Sequence, residues 1–342
     1  LPCAVIAYYS WALVTDHQSR QSSLVFQPTI TTENENRLIQ MFSALPSAEP
    51  RKVRLTSGVH ADMDYVQYLD GIDRIKRYLQ SGDCYQVNFT QRYRASIAGN
   101  PIDTFACLKK AVPSPYSAYF DLGAQQILCL SPERFVHCEN GKVVTQPIKG
   151  TRPRASDPLL DQLQATELLQ SAKDNAENIM IVDLMRNDLG KVCQPGTIYA
   201  ETLCELQSFA NVHHLVSTIT GQLEKNHTAA DLLLACFPGG SITGAPKLRA
   251  MQIIDELETW RRTIYCGSLF YLSTSGRFDS NIAIRTLLQT RNGFGADADS
   301  GNAQGDEIIG WAGGGIVADS IAEEEYAECD YKIRCLFDAL TG

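Results

Sequence analysis

The stretch Val143–Arg154, VVTQPIKGTRPR, decides how the middle of this chain folds. Val143, Val144 and Thr145 are strand formers, Pro147 cannot donate to a ladder, and Gly150 lets the backbone come close to a neighbour. One lysine, Lys149, therefore stands between a β-type run and a Gly-Thr turn. Upstream, Ser131-Pro132-Glu133-Arg134-Phe135 leads to Asn140-Gly141, a two-residue pair that favours a hairpin turn. Pairing outward from that turn sets Glu139 opposite Lys142 and, by the same count, Glu133 opposite Ile148. A carboxylic acid and an amine thus fall at the same end of one hairpin, while Pro132 and Pro147 leave the face of each open. An acid beside a nucleophilic amine is a candidate catalytic pair; a solvated lysine at a strand end is the competing reading.

Towards the N-terminus, Tyr116–Asp121 and Ile127–Leu130 read as strands, Phe105–Ala111 as a short helix and Cys84–Tyr93 as a strand. Asp64–Leu79 carries apolar residues at Tyr65/Val66, Leu69, Ile72, Ile75 and Leu79, the spacing of an amphipathic helix, and Ser81-Gly82 ends it. Earlier pieces read as strands at Cys3–Tyr9, Trp11–Asp16 and Ser23–Phe26, with a helix around Glu35–Leu45. The expected division is a structural N-terminal remainder, 1–60, and a domain at 61–342 that carries the chemistry.

Towards the C-terminus, Leu159–Met185 reads as one long helical region running into Arg186-Asn187-Asp188-Leu189-Gly190, with Gly190 as C-cap. Thr197–Cys204 and Val212–Leu223 are strand-like, and Ala229–Cys236 and Lys247–Leu257 are helical. Between those helices, Pro238–Pro246 is a tight Gly/Pro loop. Ile264–Leu272, Asn281–Gln289 and Ile308–Trp311 read as strands, and Arg291–Asp306, rich in Gly, Ala, Asp and Asn, as an exposed loop. Gly313-Gly314-Gly315 precedes a last helix that Ser320 and Glu323 begin as an S-x-x-E capping box. Hairpins dominate, so the expected class is α+β with mostly antiparallel sheets.

The 342 residues are 44% hydrophobic and 20% charged, a composition able to bury a substantial core. No apolar run reaches the ~18 residues of a membrane span. A net charge of −9 argues against nucleic acid and acidic membrane surfaces as main partners. The 11 cysteines are scattered without a C-x-x-C, the usage of reduced thiols in a cytoplasmic protein rather than of a zinc site. The chain opens Leu1-Pro2-Cys3 without a methionine or a basic region, so Val5–Val14 reads as a strand and an upstream segment is expected.

Two helices carry carboxylates at helical spacing: Asp174 and Glu177 on one, Glu325 and Glu328 on the other, with Lys332 on the same face as Glu328. A solvated acidic face is the simple reading for either alone. Glu177, however, leads into the apolar run Ile179–Met185, where a free carboxylate is costly to bury. Carboxylates from two elements, with no His or Cys pattern beside them, suit Mg²⁺, which keeps waters and takes a substrate carboxylate. The Gly240–Gly244 loop entering a helix offers backbone N–H groups and the hydroxyls of Ser241 and Thr243 to an anion. Arg285 reads as mid-strand, where a charge needs a partner and a carboxylate fork suits it best. Of His213-His214, His214 is a candidate for a substrate hydrogen bond or a packed core histidine.

PIKGTRPR, SPERF, SAKDNAENIMIVDLMRNDLG, VHHLVSTI, FPGGSITGAPKLRAMQIIDELE, IAIRTL and GGGIVADS with EEEYAECDYK, in that order, resemble the chorismate-utilising enzymes from about residue 60 onward. The resemblance implies two antiparallel β-sheets in a sandwich flanked by helices, a Mg²⁺ site, and chorismate as substrate. It implies Glu177 and Glu328 as direct metal ligands, with Asp174 and Glu325 supporting through water. Lys332, Ser241, Thr243 and Gly244 would hold the ring carboxylate, Tyr271, Arg285 and Gly313 the enolpyruvyl group, and His214 would be the active-site histidine. Isochorismate- and salicylate-forming branches carry a water-activating lysine where this chain has Gln86. The anthranilate-forming branch typically has alanine where this chain has Lys149. A lysine there resembles the branch that aminates chorismate at C4, opening p-aminobenzoate and folate synthesis, with Lys149 as nucleophile and Glu133 as proton donor. No G-x-C-x-G elbow is present, so a separate glutaminase subunit is the implied ammonia source. Pro113-Ser114-Pro115-Tyr116 resembles one wall of a tryptophan pocket, making tryptophan a further candidate ligand. An anthranilate-forming subunit and a non-catalytic module binding chorismate or tryptophan are the alternatives.

Overall fold

The computed structural model describes residues 1–44, 51–209, 211–291 and 306–341, so most of the Arg291–Asp306 loop lies outside the described residues. It divides into two units, Leu1–Pro50 and Arg51–Gly342. In the first, β1 (Trp11–Asp16) and β2 (Gln21–Phe26) form an antiparallel hairpin with Trp11 opposite Phe26. Helix α1 (Thr32–Ser43) follows; the Thr31 side chain caps it by accepting from the Asn34 N–H, and Phe42 packs on Trp11 at 5.5 Å. The strand expected at Cys3–Tyr9 is irregular: no described strand pairs with it, and Ile6 and Tyr8 are exposed.

The second unit opens with β3 (Arg54–Leu55) and β4 (His60–Ala61), then α2 (Tyr65–Gln80), β5 (Gln86–Ala98) and α3 (Pro101–Ala111). Five strands follow: β6 (Tyr116–Asp121), β7 (Gln125–Ser131), β8 (Arg134–Glu139), β9 (Lys142–Thr145) and β10 (Ile148–Pro153). Two helices, α4 (Pro158–Gln170) and α5 (Ala172–Leu189), lead to β11 (Tyr199–Ser208), β12 (Val212–Gln222) and α6 (Ala229–Cys236). The chain continues through β13 (Gly244–Ala245), α7 (Lys247–Leu257), β14 (Phe270–Leu272), β15 (Phe278–Asn281), β16 (Thr286–Thr290) and β17 (Asp306–Ile316) to α8 (Ala322–Asp338). The unit boundary falls before Arg51, ahead of residue 60, because Arg54 pairs with Ala98 and His60 with Arg94 of β5.

Two antiparallel sheets result. The eight-stranded sheet runs β13-β5-β17-β16-β7-β6 with β3 and β4 on β5; the seven-stranded one runs β10-β12-β9-β8-β15-β14 with β11 on β12. Alternate residues of β5 (Val87, Phe89, Tyr93, Ala95, Ile97) enter a core shared with Ile72 of α2, Ile253 of α7 and Ile333 of α8. A second core joins Phe135, Val143 and Ile219 of the seven-stranded sheet to Leu288 and Trp311 of the other, with Ile181 and Met185 of α5. The sheets therefore face one another with helices outside, the α+β sandwich expected. Phe89 is fully buried against Tyr68 at 5.0 Å, and a Cβ on Gly71 would meet its ring at 2.5 Å. Phe89→Ala is expected to destabilise the unit by ~3–5 kcal/mol in denaturant unfolding; a loss below ~1 kcal/mol would refute this packing.

Four local expectations change. The long helix breaks at Ser171, extended at φ −65° and ψ 105°, whose side chain accepts from the Asp174 N–H and so starts α5. Gly190 does cap α5 as expected, with right-handed dihedrals. Ser320 does not cap α8: it donates to Glu325 at 2.7 Å and accepts from the Val317 N–H. Asn281–Gln289 is two strands, because Arg285 sits at φ +47° directly before β16 instead of mid-strand, and Ile264–Leu272 is regular only over β14.

Candidate active site

Asn140 and Gly141, both at positive φ, turn β8 into β9 with Glu139 opposite Lys142 and His137 opposite Val144, the register counted from sequence. Pro147 ends that ladder, and β10 continues on β12, Lys149 lying opposite Leu215. Gly150, at φ +77°, makes a bulge, so Thr151 falls opposite His214. A Cβ on Gly150 would meet Leu168 at 2.8 Å and Asp174 at 3.1 Å, so only glycine lets the start of α5 approach Lys149 this closely.

The acid and the amine do come together. Glu133 is 5% exposed; its carboxylate accepts from the Ser241 hydroxyl at 2.8 Å and from the Ile148 backbone, the residue counted as its partner. Lys149 Nζ lies 3.5 Å from the Ser241 carbonyl and 3.9 Å from Glu177 Oε2, with 12% of its side chain exposed. Burial pushes Glu133 up to about 7, against the pull of Ser241 and Lys149. Burial, helped by Lys332, lowers Lys149 from its ordinary value against the opposing charges of Glu177, Glu133 and Glu328. Both groups are thus driven towards their neutral forms, as desolvation requires.

Helices α5 and α8 bring the four acidic residues to the same place. Burial raises Glu177 above its ordinary value, with Asp174 and Glu325 adding to the effect and Lys149 and Lys173 opposing it. Asp174 is paired with Arg152 at 3.4 Å, and Glu325 is held by Lys173 at 3.5 Å and by Ser320. Glu328 pairs with Lys332 at 2.7 Å; partial burial opposes its ionisation, but Lys332 wins and holds it below its ordinary value. Lys332 also donates to the Gly313 carbonyl at 3.0 Å. The glycine triplet lies inside β17, not after it: a Cβ on Gly313 would strike the Phe89 carbonyl at 2.1 Å, and one on Gly315 would lie 2.8 Å from Gln86 Nε2 and 3.4 Å from Lys149 Nζ. Among the described residues no three acidic, His or Cys groups are gathered closely enough to hold an ion by themselves.

His214 Nδ1 bonds Thr151 Oγ1 at 2.9 Å, while its Nε2 is buried without a partner. Burial, with Arg285 nearby, lowers it to about 4, so the imidazole is neutral at pH 7. Tyr271 lies on β14 opposite Asp279, half exposed and unconnected by hydrogen bond to the residues around Lys149. Thr243 Oγ1 is turned inward onto the Gly239 carbonyl, and Gly244 at φ +140° packs on the Gln86 carbonyl. Arg134 lies over the Tyr116 ring at 5.2 Å, at the end of the Pro113–Tyr116 segment. Sequence reading missed Arg152, Lys173 and Ser320. The first two lie within three residues of Lys149 and one of Asp174, and the missed signal was charge balance: buried acids need cations near them.

A β-sandwich with a buried lysine and acid beside carboxylates from two helices defines a class. The family of chorismate binding enzymes matches residues 1–338, and this chain belongs to it. Within that family, the chain is 46% identical over 340 residues to aminodeoxychorismate synthase component 1 of Escherichia coli (strain K12), covering 99% of this chain and 71% of that protein. It is 44% identical to the protein of the same name from Salmonella typhimurium, with the same coverage. The crystal structure of anthranilate synthase component I from Streptococcus pneumoniae matches with a TM-score of 0.82 and 32% identity, over 96% of this chain and 72% of that one.

Proposed function

We propose that this chain aminates chorismate at C4, giving 4-amino-4-deoxychorismate, with ammonia from a partner glutaminase. The observation that carries the reading is Lys149, buried and 3.5 Å from the same Ser241 that hydrogen-bonds Glu133. Its unprotonated amine attacks C2 while the C4 hydroxyl leaves as water, taking the Glu133 proton. Ammonia then attacks C4, the C2–N bond breaks to return the amine, and Glu133 recovers a proton from the incoming nitrogen. Burial of both groups shifts the one-proton pair from the ion pair towards its neutral form, amine plus carboxylic acid. Neutral His214, oriented by Thr151, keeps an unpartnered Nε2 and is assigned to the substrate.

With Lys149 as a neutral amine, the four carboxylates Asp174, Glu177, Glu325 and Glu328 face three cations, Arg152, Lys173 and Lys332, one negative charge in excess before substrate arrives. A dianionic substrate adds two more. The donor set would suit Mg²⁺, with Glu177 and Glu328 assigned as the protein ligands and Asp174 and Glu325 as outer support. When bound, the ion offsets substrate charge and fixes the ring carboxylate. Ser241, Thr243, Gly244 and Lys332 are assigned to that carboxylate, and Tyr271, Arg285 and Gly313 to the enolpyruvyl group.

Turnover of chorismate with Mg²⁺ and ammonium tests the reading: chorismate should disappear without anthranilate fluorescence, and anthranilate as the product would move the chain to the rival branch. The pH profile at fixed free ammonia should rise through about 7, where the pair sheds its first proton, and fall at higher pH as the second is lost. Glu133→Gln should slow turnover ~10²–10⁴-fold and leave a single limb; an unchanged bell would exclude the pair as its source.

A further inference from the structure

Ser241 touches both Lys149 and Glu133, yet it lies on a loop of glycines and one turn of 3₁₀ helix, Gly240–Ile242, which cannot hold a hydroxyl in place by itself. The loop is anchored at the next residue. Arg262 Nη1 donates to the Ile242 carbonyl at 2.8 Å, and Nη2 to the Asn88 carbonyl of β5 at 2.6 Å. Its Nε and Nη2 also form a fork on Glu258, at 2.9 and 2.7 Å, and Glu258 Oε1 accepts from the Thr90 N–H and hydroxyl at 2.9 and 2.8 Å. Arg262 and Glu258 are largely shielded from solvent, with 14% and 5% of their side chains exposed. Asn88 and Thr90 lie opposite Gly315 and Gly313, the glycines beside Lys149 and under Lys332. Neither Arg262 nor Glu258 bonds to Lys149 or Glu133.

We propose that Arg262 is a positioning residue for this reaction: with Glu258 it ties the Ser241 loop to the β5–β17 strand pair, fixing the shared partner of the acid and the amine. The inference rests on the amination reading for its kinetic consequence and on geometry alone for the tether. The guanidinium meets four oxygen acceptors and the Cys266 sulfur at once, an arrangement the single ammonium of lysine cannot reproduce.

The test compares Arg262→Lys, Ser241→Ala and the double variant with wild type. In folded Arg262→Lys, the amides of residues 241–243 should exchange faster with solvent while those of α2 do not change. On chorismate consumption, Arg262→Lys should lower kcat ~10–100-fold with a smaller rise in KM, and the same substitution should cost much less in the Ser241→Ala background. Normal exchange in the loop overturns the tether whether or not the chain is active; additive effects in an active enzyme overturn its action through Ser241. A wild type that consumes no chorismate fails the amination reading, and the exchange result still decides the tether. If Arg262→Lys does not fold, Thr90→Val, which removes one donor to Glu258, should loosen the same amides more weakly, and unchanged exchange there overturns the proposal.

Discussion

Lys149→Ala is expected to reduce C4 amination by at least ~10³-fold while leaving chorismate binding and thermal unfolding close to wild type. The lysine lies at the end of β10 against Glu177 and Ser241, and its side chain fills no part of either hydrophobic core. Removing it takes away the nucleophile and also a positive charge that draws Glu133 and Glu177 downward, so both carboxyls should become harder to ionise. Substrate binding calorimetry separates the two effects: binding retained with turnover lost is the expected pattern. Wild-type rate and product would remove Lys149 from the chemistry.

Glu177→Gln is expected to lower turnover by at least ~10²-fold and to weaken Mg²⁺ binding, read by calorimetry without turnover, by more than the ~10–100-fold typical of an outer partner. Stability should move the other way. Burial raises the Glu177 carboxyl above its ordinary value, so this group favours the fold at pH values below its unfolded pKa, and that contribution is lost as the pH rises. The charged form of Glu177 is disfavoured in the fold and glutamine lacks it, so the variant should unfold at a higher temperature. Such an exchange of stability against activity marks a residue kept for function. An unchanged Mg²⁺ titration would contradict the ligand assignment, and a lower melting temperature the charge argument.

Much of this site could be read from sequence because the decisive part is local. Asn140-Gly141 sets the hairpin turn, and counting outward gives the pairs found as far as His137 and Val144; beyond them Glu133 meets the Ile148 backbone through its side chain and not as a ladder partner. Carboxylates at helical spacing on α5 and α8 face the same way for an equally local reason. What escaped depended on distant partners. Ser171 lies inside a run that reads as one helix, and the break there is a backbone geometry, not a periodicity. The Ser320 motif promised a cap, but Glu325 offered its hydroxyl a stronger, charged acceptor. Arg285 interrupts an otherwise strand-like run with a positive φ that no composition signals. The glycine triplet falls outside the strand expected at Ile308–Trp311, whereas in β17 it clears space for the Phe89 carbonyl, Gln86 and Lys149. Arg262 carried no motif of its own, since its acceptors are backbone carbonyls of two other segments.

The account turns on a buried amine that forms a bond to the substrate ring. Peptide mass spectrometry of enzyme quenched after incubation with chorismate and Mg²⁺, without ammonium, tests it most directly. The Lys149 peptide is expected to gain the mass of chorismate less one water, and to lose it when ammonium is added. A Lys149 peptide that stays unmodified, in enzyme that begins turnover at full rate once ammonium is supplied, would contradict it.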